Sequence, residues 1–243
     1  MSITRPVKNA GEKYINGLNL TWTSGTVVAA SAGICRDSTN TNDMNVSEAL
    51  ELNTALSGAG GLDTGTIANS TLYAVYLIDS SYGKAVESLI MSANHSAPVM
   101  PYNYDMQRRI GFVLTNSNGT ILAFYQVGNG SDRWMKYDVS VATDITAGAS
   151  ATFAEVDCTA SVPLINTIID LDCEFDPTAA NDELVIVPNG SASPNGVDRM
   201  SGSAAGVTKI GHLHCPCQSD ATLEYKVTGD AVALNVQGYL DTL

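Results

Sequence analysis

Apolar side chains in this chain recur at every second position over short runs, and the runs are closed by Asn, Gly, Asp and Ser. A period of two is the repeat of a pleated strand with one buried face, so the pattern commits the chain to β-structure. Leu18, Leu20 and Trp22 fall on one side of such a run; Leu72, Ala74, Tyr76 and Ile78 fall on one side of another. Ser, Thr, Asn and Gly supply most of the polar positions, and only 15% of residues are charged, too few for the solvated faces of many helices. With 44% hydrophobic residues, the 243-residue chain can still bury a core. The expected fold is all-β, an antiparallel β-sandwich of jelly-roll type in which two sheets bury their inner faces against each other.

Local signals refine the expectation. In RRIGFVLTNSNGTILAFYQV, two β-rich segments flank Asn118-Gly119, which predicts a type I′ hairpin pairing Ile110 to Thr115 with Thr120 to Val127. A second hairpin is expected around Thr228-Gly229-Asp230, joining Thr222 to Val227 with Ala231 to Tyr239. Ser47 to Leu56 and Ala85 to Met91 fit helix and strand equally. Further strands are expected at Phe153 to Asp157, Val162 to Leu171, Glu183 to Val187 and Val207 to Cys215. The texture turns small and polar near Val139. The predicted organisation is therefore an extended basic arm over residues 1–13, an N-terminal β domain over 14–138 and a C-terminal β-sandwich domain over 139–243. No repeat of 20 to 50 residues marks a propeller or solenoid.

The chain holds 25 acidic and 12 basic residues, a formal charge of −13, which argues against nucleic acid as a partner because phosphate binding depends on Lys and Arg. Met1 to Tyr14 lacks an apolar core of the secretory type, and no run approaches the ~20 apolar residues of a membrane helix. Neither export nor membrane insertion is expected. Cys35, Cys158, Cys173, Cys215 and Cys217 are odd in number and widely spaced, so free thiols formed in a reducing compartment are expected over a disulfide framework.

Chemistry-bearing motifs are sparse. His212-Leu-His-Cys-Pro-Cys217 packs four metal-ligand types into six residues, yet an extended segment turns the two histidines to one face and the two cysteines to the other. A strand with half-buried thiols is the expectation, with no metal site and no cofactor. Asp37 to Asp43 and Asp63 read as turn carboxylates that satisfy their own backbone, since the glycine and distal glutamate of a calcium loop are missing. There is no nucleophile elbow and no Cys/His protease motif, and nothing selects a carboxylate pair for glycoside hydrolysis. No enzyme activity is expected. The remaining candidates are interface residues: Arg5, Lys8 and Lys13 in the arm, Tyr102, Tyr104 and Trp134 (with Tyr137) in loop-like segments, and Arg108 and Arg109 at a strand start.

Several stretches carry a family texture: Tyr14-Ile-Asn-Gly-Leu18, Ala32-Gly-Ile-Cys-Arg-Asp-Ser38, Gly60-Gly-Leu-Asp-Thr-Gly65 followed by Leu72 to Ile78, Pro101 to Gly111 with its Arg-Arg-Ile-Gly, and the closing Glu224-Tyr-Lys-Val and Val236-Gln-Gly-Tyr239. Together they resemble the small β-structured virion proteins of tailed bacteriophages, of the head-decoration and tail-fibre-like kind. The resemblance implies a virion structural protein assembled in the host cytoplasm, a homotrimeric capsid decoration subunit that binds the major capsid protein or other virion proteins and stabilises the shell. The alternative it implies is a tail-associated adhesin that recognises a host surface glycan through its aromatic residues. A polysaccharide-degrading enzyme is the least favoured reading, because the long repeats of such enzymes are missing.

Overall fold

The computed structural model describes residues 14–138, 143–191, 198–229 and 231–243, with 143–147 described at the level of the backbone. The described residues form nineteen strands and no helix. In the N-terminal half these are β1 (Ile15–Gly17), β2 (Leu20–Ser24), β3 (Val27–Ala30), β4 (Gly33–Arg36), β5 (Asp43–Val46), β6 (Leu50–Asn53), β7 (Leu72–Asp79), β8 (Ser88–Ser92), β9 (Met106–Leu114), β10 (Phe124–Asn129) and β11 (Asp132–Tyr137). The C-terminal half adds β12 (Thr143–Gly148), β13 (Ala154–Asp157), β14 (Thr167–Phe175), β15 (Glu183–Pro188), β16 (Arg199–Ser201), β17 (Lys209–Cys217), β18 (Thr222–Val227) and β19 (Val232–Thr242).

The all-β expectation holds, and every pairing between these strands is antiparallel. A nine-stranded sheet runs in the order β17-β14-β19-β11-β10-β2-β3-β6, with β12 also on β19. Beside it lie the sheets β1-β4-β5, β13-β18-β15-β16 and β8-β7-β9. Antiparallel sheets around a shared apolar core fit a sandwich; their strand order does not reproduce the two-sheet jelly roll. The large sheet also crosses the boundary expected near Val139, a residue outside the described set. β11 from the first half pairs with β19 from the second over Asp132↔Thr242 to Lys136↔Gly238, so the two halves share one sheet.

Both expected hairpins are corrected. The Asn118-Gly119 turn forms, with Gly119 N–H donating to Asn116 O at 3.0 Å and Asn116 N–H to Thr120 O at 2.8 Å. Only Gly119 has positive φ, at +74°, so the turn is not type I′, which needs two such residues. Pairing stops at its base, the Thr115↔Ile121 bridge, after which β9 joins β7 and β10 joins β2 and β11. Side-chain burial explains the parting. Residues 110–114 of β9 are buried on both faces, whereas β10 turns Tyr125 and Val127 out to solvent. Likewise β18 pairs with β13 and β15 and leaves β19 alone. Leu223, Tyr225 and Val227 of β18, and Val232, Leu234 and Val236 of β19, bury their faces in one common core. Alternation marked those faces; the partners are set by long-range packing. Leu50 to Asn53 is strand, with Leu52 fully buried, which decides the segment that fitted helix equally.

The Asp37 loop is a turn organised by its own carboxylate, as expected. Asp37 Oδ1 accepts from the N–H groups of Thr41 (2.8 Å) and Asn42 (3.2 Å), and Oδ2 accepts from Thr39 Oγ1 at 2.8 Å. Burial pushes this carboxyl upward, and those donors outweigh it, holding it below the usual carboxylate range. A depressed folded value stabilises the fold above the unfolded value of about 3.9 and loses that contribution as pH falls through the folded value. Asp37→Asn should therefore lower stability by about 2 kcal/mol at pH 7, and the gap between wild type and variant should close below about pH 4. Urea titrations at pH 7, 5, 4 and 3 measure it; a gap that does not change with pH contradicts the assignment.

Candidate functional site

The segment Ile169 to Phe175 alternates apolar and acidic residues. Ile169, Leu171, Cys173 and Phe175 are buried in the core, which turns Asp170, Asp172 and Glu174 to the outer face of the large sheet. Asp170 is nonetheless only 2% exposed, because neighbours cover it. Register builds the cover: Lys136 of β11, Gly238 of β19, Asp170 of β14 and His214 of β17 are successive cross-strand partners. Gly238 has no side chain to fill the gap, so Lys136 reaches over it and its Nζ donates to Asp170 Oδ2. From the other side His214 Nε2 lies 3.1 Å from Asp170 Oδ1, and His212 Nδ1 lies 4.0 Å from the same oxygen. Asp198 caps the edge strand β17 by accepting the His214 N–H at 2.7 Å.

Aromatic and aliphatic surface surrounds this charged row. The His214 ring packs edge-on against Trp134 at 5.7 Å, and Lys136 Nζ stands 4.9 Å over the same indole. Tyr125 sits opposite Lys136 and Val127 opposite Trp134, at 59% and 57% exposure, and Ile210 on β17 is 75% exposed. Trp134 was expected in a loop; it belongs to β11, as does Tyr137, whose hydroxyl donates to Ser161 O inside the core. The two histidines face out while Cys215 and Cys217 face the core, as the strand geometry predicts. Among the described residues no three His, Cys, Asp or Glu side chains converge as metal ligands do. All five cysteines are free and buried, and burial pushes the Cys35 and Cys173 thiols up to about 12, so both stay protonated and unreactive. The row Lys136–Asp170–His214 is an internally satisfied charge network on a face able to bind by area and shape.

Arg108 and Arg109 are the third and fourth residues of β9 and line a cleft of about 400 Å³ with Ser38, Tyr76, His95, Ser96, Gln107, Thr242 and Leu243. Arg108 is buried. Arg109 Nη1 donates to Asp241 Oδ1 at 2.6 Å and Nη2 to Thr242 O at 2.9 Å, with the guanidinium 4.5 Å from the Phe112 ring centre. Burial pushes the Asp241 carboxyl above its ordinary range against the pull of Arg109, Arg133 and Arg108. Tyr102 is 90% exposed on the loop between β8 and β9, while Tyr104 on that loop ties it to the β7–β8 loop by donating to Val86 O at 2.9 Å. Arg5, Lys8 and Lys13 lie outside the described residues.

The five described interface candidates are thus not one site. Arg108 and Arg109 share the cleft, Trp134 belongs to the outer face, and the two tyrosines lie on the loop between β8 and β9. Asp170 and Lys136 are not among the candidates the sequence singles out, although the alternation of acids within Ile168 to Phe175 and the Lys in Trp-Met-Lys-Tyr place both on outward positions. No protein-family model matches this chain, and neither a curated protein nor a solved structure matches it.

Proposed function

We propose that this chain is a structural protein of a tailed-phage virion, a homotrimeric capsid decoration subunit that docks on the shell through the outer face of its large sheet. One observation carries the reading: Tyr125, Val127, half-buried Trp134 and Ile210 present apolar surface around a charge row that is already satisfied. Such a face offers contact area, with aromatic residues beside a charge row that is already paired, which suits a docking surface. The resemblance to virion proteins supplies the particle. Adding the purified chain to particles stripped of it should restore head occupancy, and the double variant Tyr125→Ser/Trp134→Ala should bind at least about tenfold more weakly while keeping the β-sheet circular dichroism of the wild type. Full occupancy by the variant rejects this face as the docking surface.

The tail adhesin is the second reading, favoured by the position of Trp134 beside polar Lys136 and His214, an arrangement that suits a sugar ring. Labelled antibody on intact particles separates the two: heads for decoration, tail tips for adhesion.

A further inference from the structure

We propose that Asn129-Gly130 is a self-modification site, where the chain converts its own Asn129 to aspartate and isoaspartate through a cyclic imide. The chemistry needs only water and does not depend on what the outer face binds.

Five Asn-Gly pairs occur in the sequence, at Asn16, Asn118, Asn129, Asn189 and Asn195, the last outside the described residues. All share one chemical premise: a glycine nitrogen, unshielded by a side chain, follows an electrophilic carboxamide. The fold then separates them. Gly119 N–H donates to Asn116 O at 3.0 Å, which commits it to another residue. The Asn189 carboxamide is held off by its Nδ2, which donates to Thr222 Oγ1 at 2.7 Å. Asn16 and Gly17 lie in β1, paired with Ile34 and Gly33. Among the described pairs, Asn129 alone has its own side chain engaged by the following nitrogen: Gly130 N–H donates to Asn129 Oδ1 at 2.9 Å. Cγ, the carbon that must be attacked, is bonded to that oxygen, and reacting groups held in contact escape much of the entropic cost of meeting.

The turn around the pair adds polarisation. β10 ends at Asn129 and β11 begins at Asp132, its cross-strand partner, so Gly130 and Ser131 form a two-residue hairpin loop with Gly130 at φ +85°. Arg133 Nε donates to Gly130 O at 2.9 Å and fixes the loop. Its positive charge beside Gly130 favours the anionic nitrogen that attack requires. Asn129 Oδ1 also accepts the Gly17 N–H at 3.4 Å, which draws electron density from Cγ. Asn129 is exposed, so water and hydroxide reach the site.

Gly130 N gives its proton to hydroxide and bonds to Asn129 Cγ; the Cγ–Nδ2 bond breaks, and ammonia leaves with a proton taken back from water. Nothing is oxidised or reduced. Water then opens the imide, at Cγ to give aspartate or at the main-chain carbonyl to give isoaspartate. Aspartate sets a carboxylate opposite Asp132, and isoaspartate threads the backbone through Cβ, so both products loosen the turn. The Val127↔Trp134 pair is the next row on that side of the sheet, and each event therefore adds negative charge beside the outer face.

Peptide mapping by mass spectrometry tests this on the full chain incubated at pH 8, folded and in urea. In the folded chain Asn129 should convert at least about tenfold faster than Asn16, Asn118 or Asn189. In urea, where local sequence acts alone, that lead should vanish. Asn129→Gln, which would have to close a larger ring, should stop conversion at this position. Asn129→Asp should reproduce the lowered melting temperature of the aged chain. Conversion at Asn118 or Asn189 as fast as at Asn129 in the folded chain, an undiminished lead in urea, or an intact Asn129 when the urea sample has converted each overturns the site. A wild-type melting temperature in Asn129→Asp overturns the loosening of the turn.

Discussion

Replacing Arg133 with Met should destabilise the protein by about 4 kcal/mol, a large share of the ~5–15 kcal/mol that holds a typical domain together. Arg133 is fully buried, an unusual place for a guanidinium, and carbonyl groups surround it. Its Nε donates to Gly130 O at 2.9 Å, Nη1 to Leu18 O at 2.8 Å and Nη2 to Gly17 O at 2.6 Å. Gly17 and Leu18 both have positive φ, at +67° and +58°, the second of which is costly for a side chain branched at Cγ and packed in the core. That irregular link between β1 and β2 cannot pair its carbonyls in a ladder, and Arg133 on β11 serves them instead. Methionine fills much of the volume but leaves the buried Leu18 carbonyl and the part-buried carbonyls of Gly17 and Gly130 without their donor, the buried one alone costing roughly 1–3 kcal/mol. Lysine restores the charge with three N–H donors on one nitrogen, which cannot span the three separate carbonyls, and should recover only part of the loss. Urea titration measures both; a loss below about 1 kcal/mol for Arg133→Met would mean that water serves the carbonyls and the arginine is dispensable.

Nothing in the sequence announces that role. Arg133 stands in Ser-Asp-Arg-Trp-Met-Lys-Tyr, where a charged residue beside other polar ones reads as solvated, and its partners Gly17 and Leu18 lie more than a hundred residues away. What was legible is what period two encodes: the β class, the outward histidines and inward cysteines of β17, and the buried face of β19. Asp37 was legible as well, because its donors are within five residues of it. Illegible were the partners of each strand. Alternation fixes which side of a strand is apolar and leaves open which strand lies next to it, so two short connections were read as hairpins when the chain was changing sheets. The candidate site failed in the same way. Asp170, Gly238 and Lys136 come from three strands, and only the register of the large sheet makes them neighbours.

Gly238→Ala tests that register directly and should cost about 3 kcal/mol, from a single methyl group. A Cβ at this position would stand 2.0 Å from Met135 O, with Lys136 Cα at 3.1 Å, and backbone cannot step aside as a flexible side chain can. The close approach arises where β19 is irregular: Asp170 pairs with Gly238 but Leu171 pairs with Val236, so Gln237 is an extra residue that bends the strand. Relieving the clash means parting β11 from β19 at the row that holds Lys136 and Asp170 together. The nearly inaccessible Asp170 carboxylate would then lose its ammonium partner, and a buried charge stripped of one partner is more costly than the pair was worth. Gly58→Ala supplies the comparison. Gly58 has φ +79° with nothing near its Cβ position, so its substitution carries only the left-handed strain of about 1–2 kcal/mol. If thermal unfolding shows Gly238→Ala losing no more than Gly58→Ala, the two strands do not approach as closely as their register requires. The charge row on the outer face would then lack the gap across which Lys136 reaches Asp170.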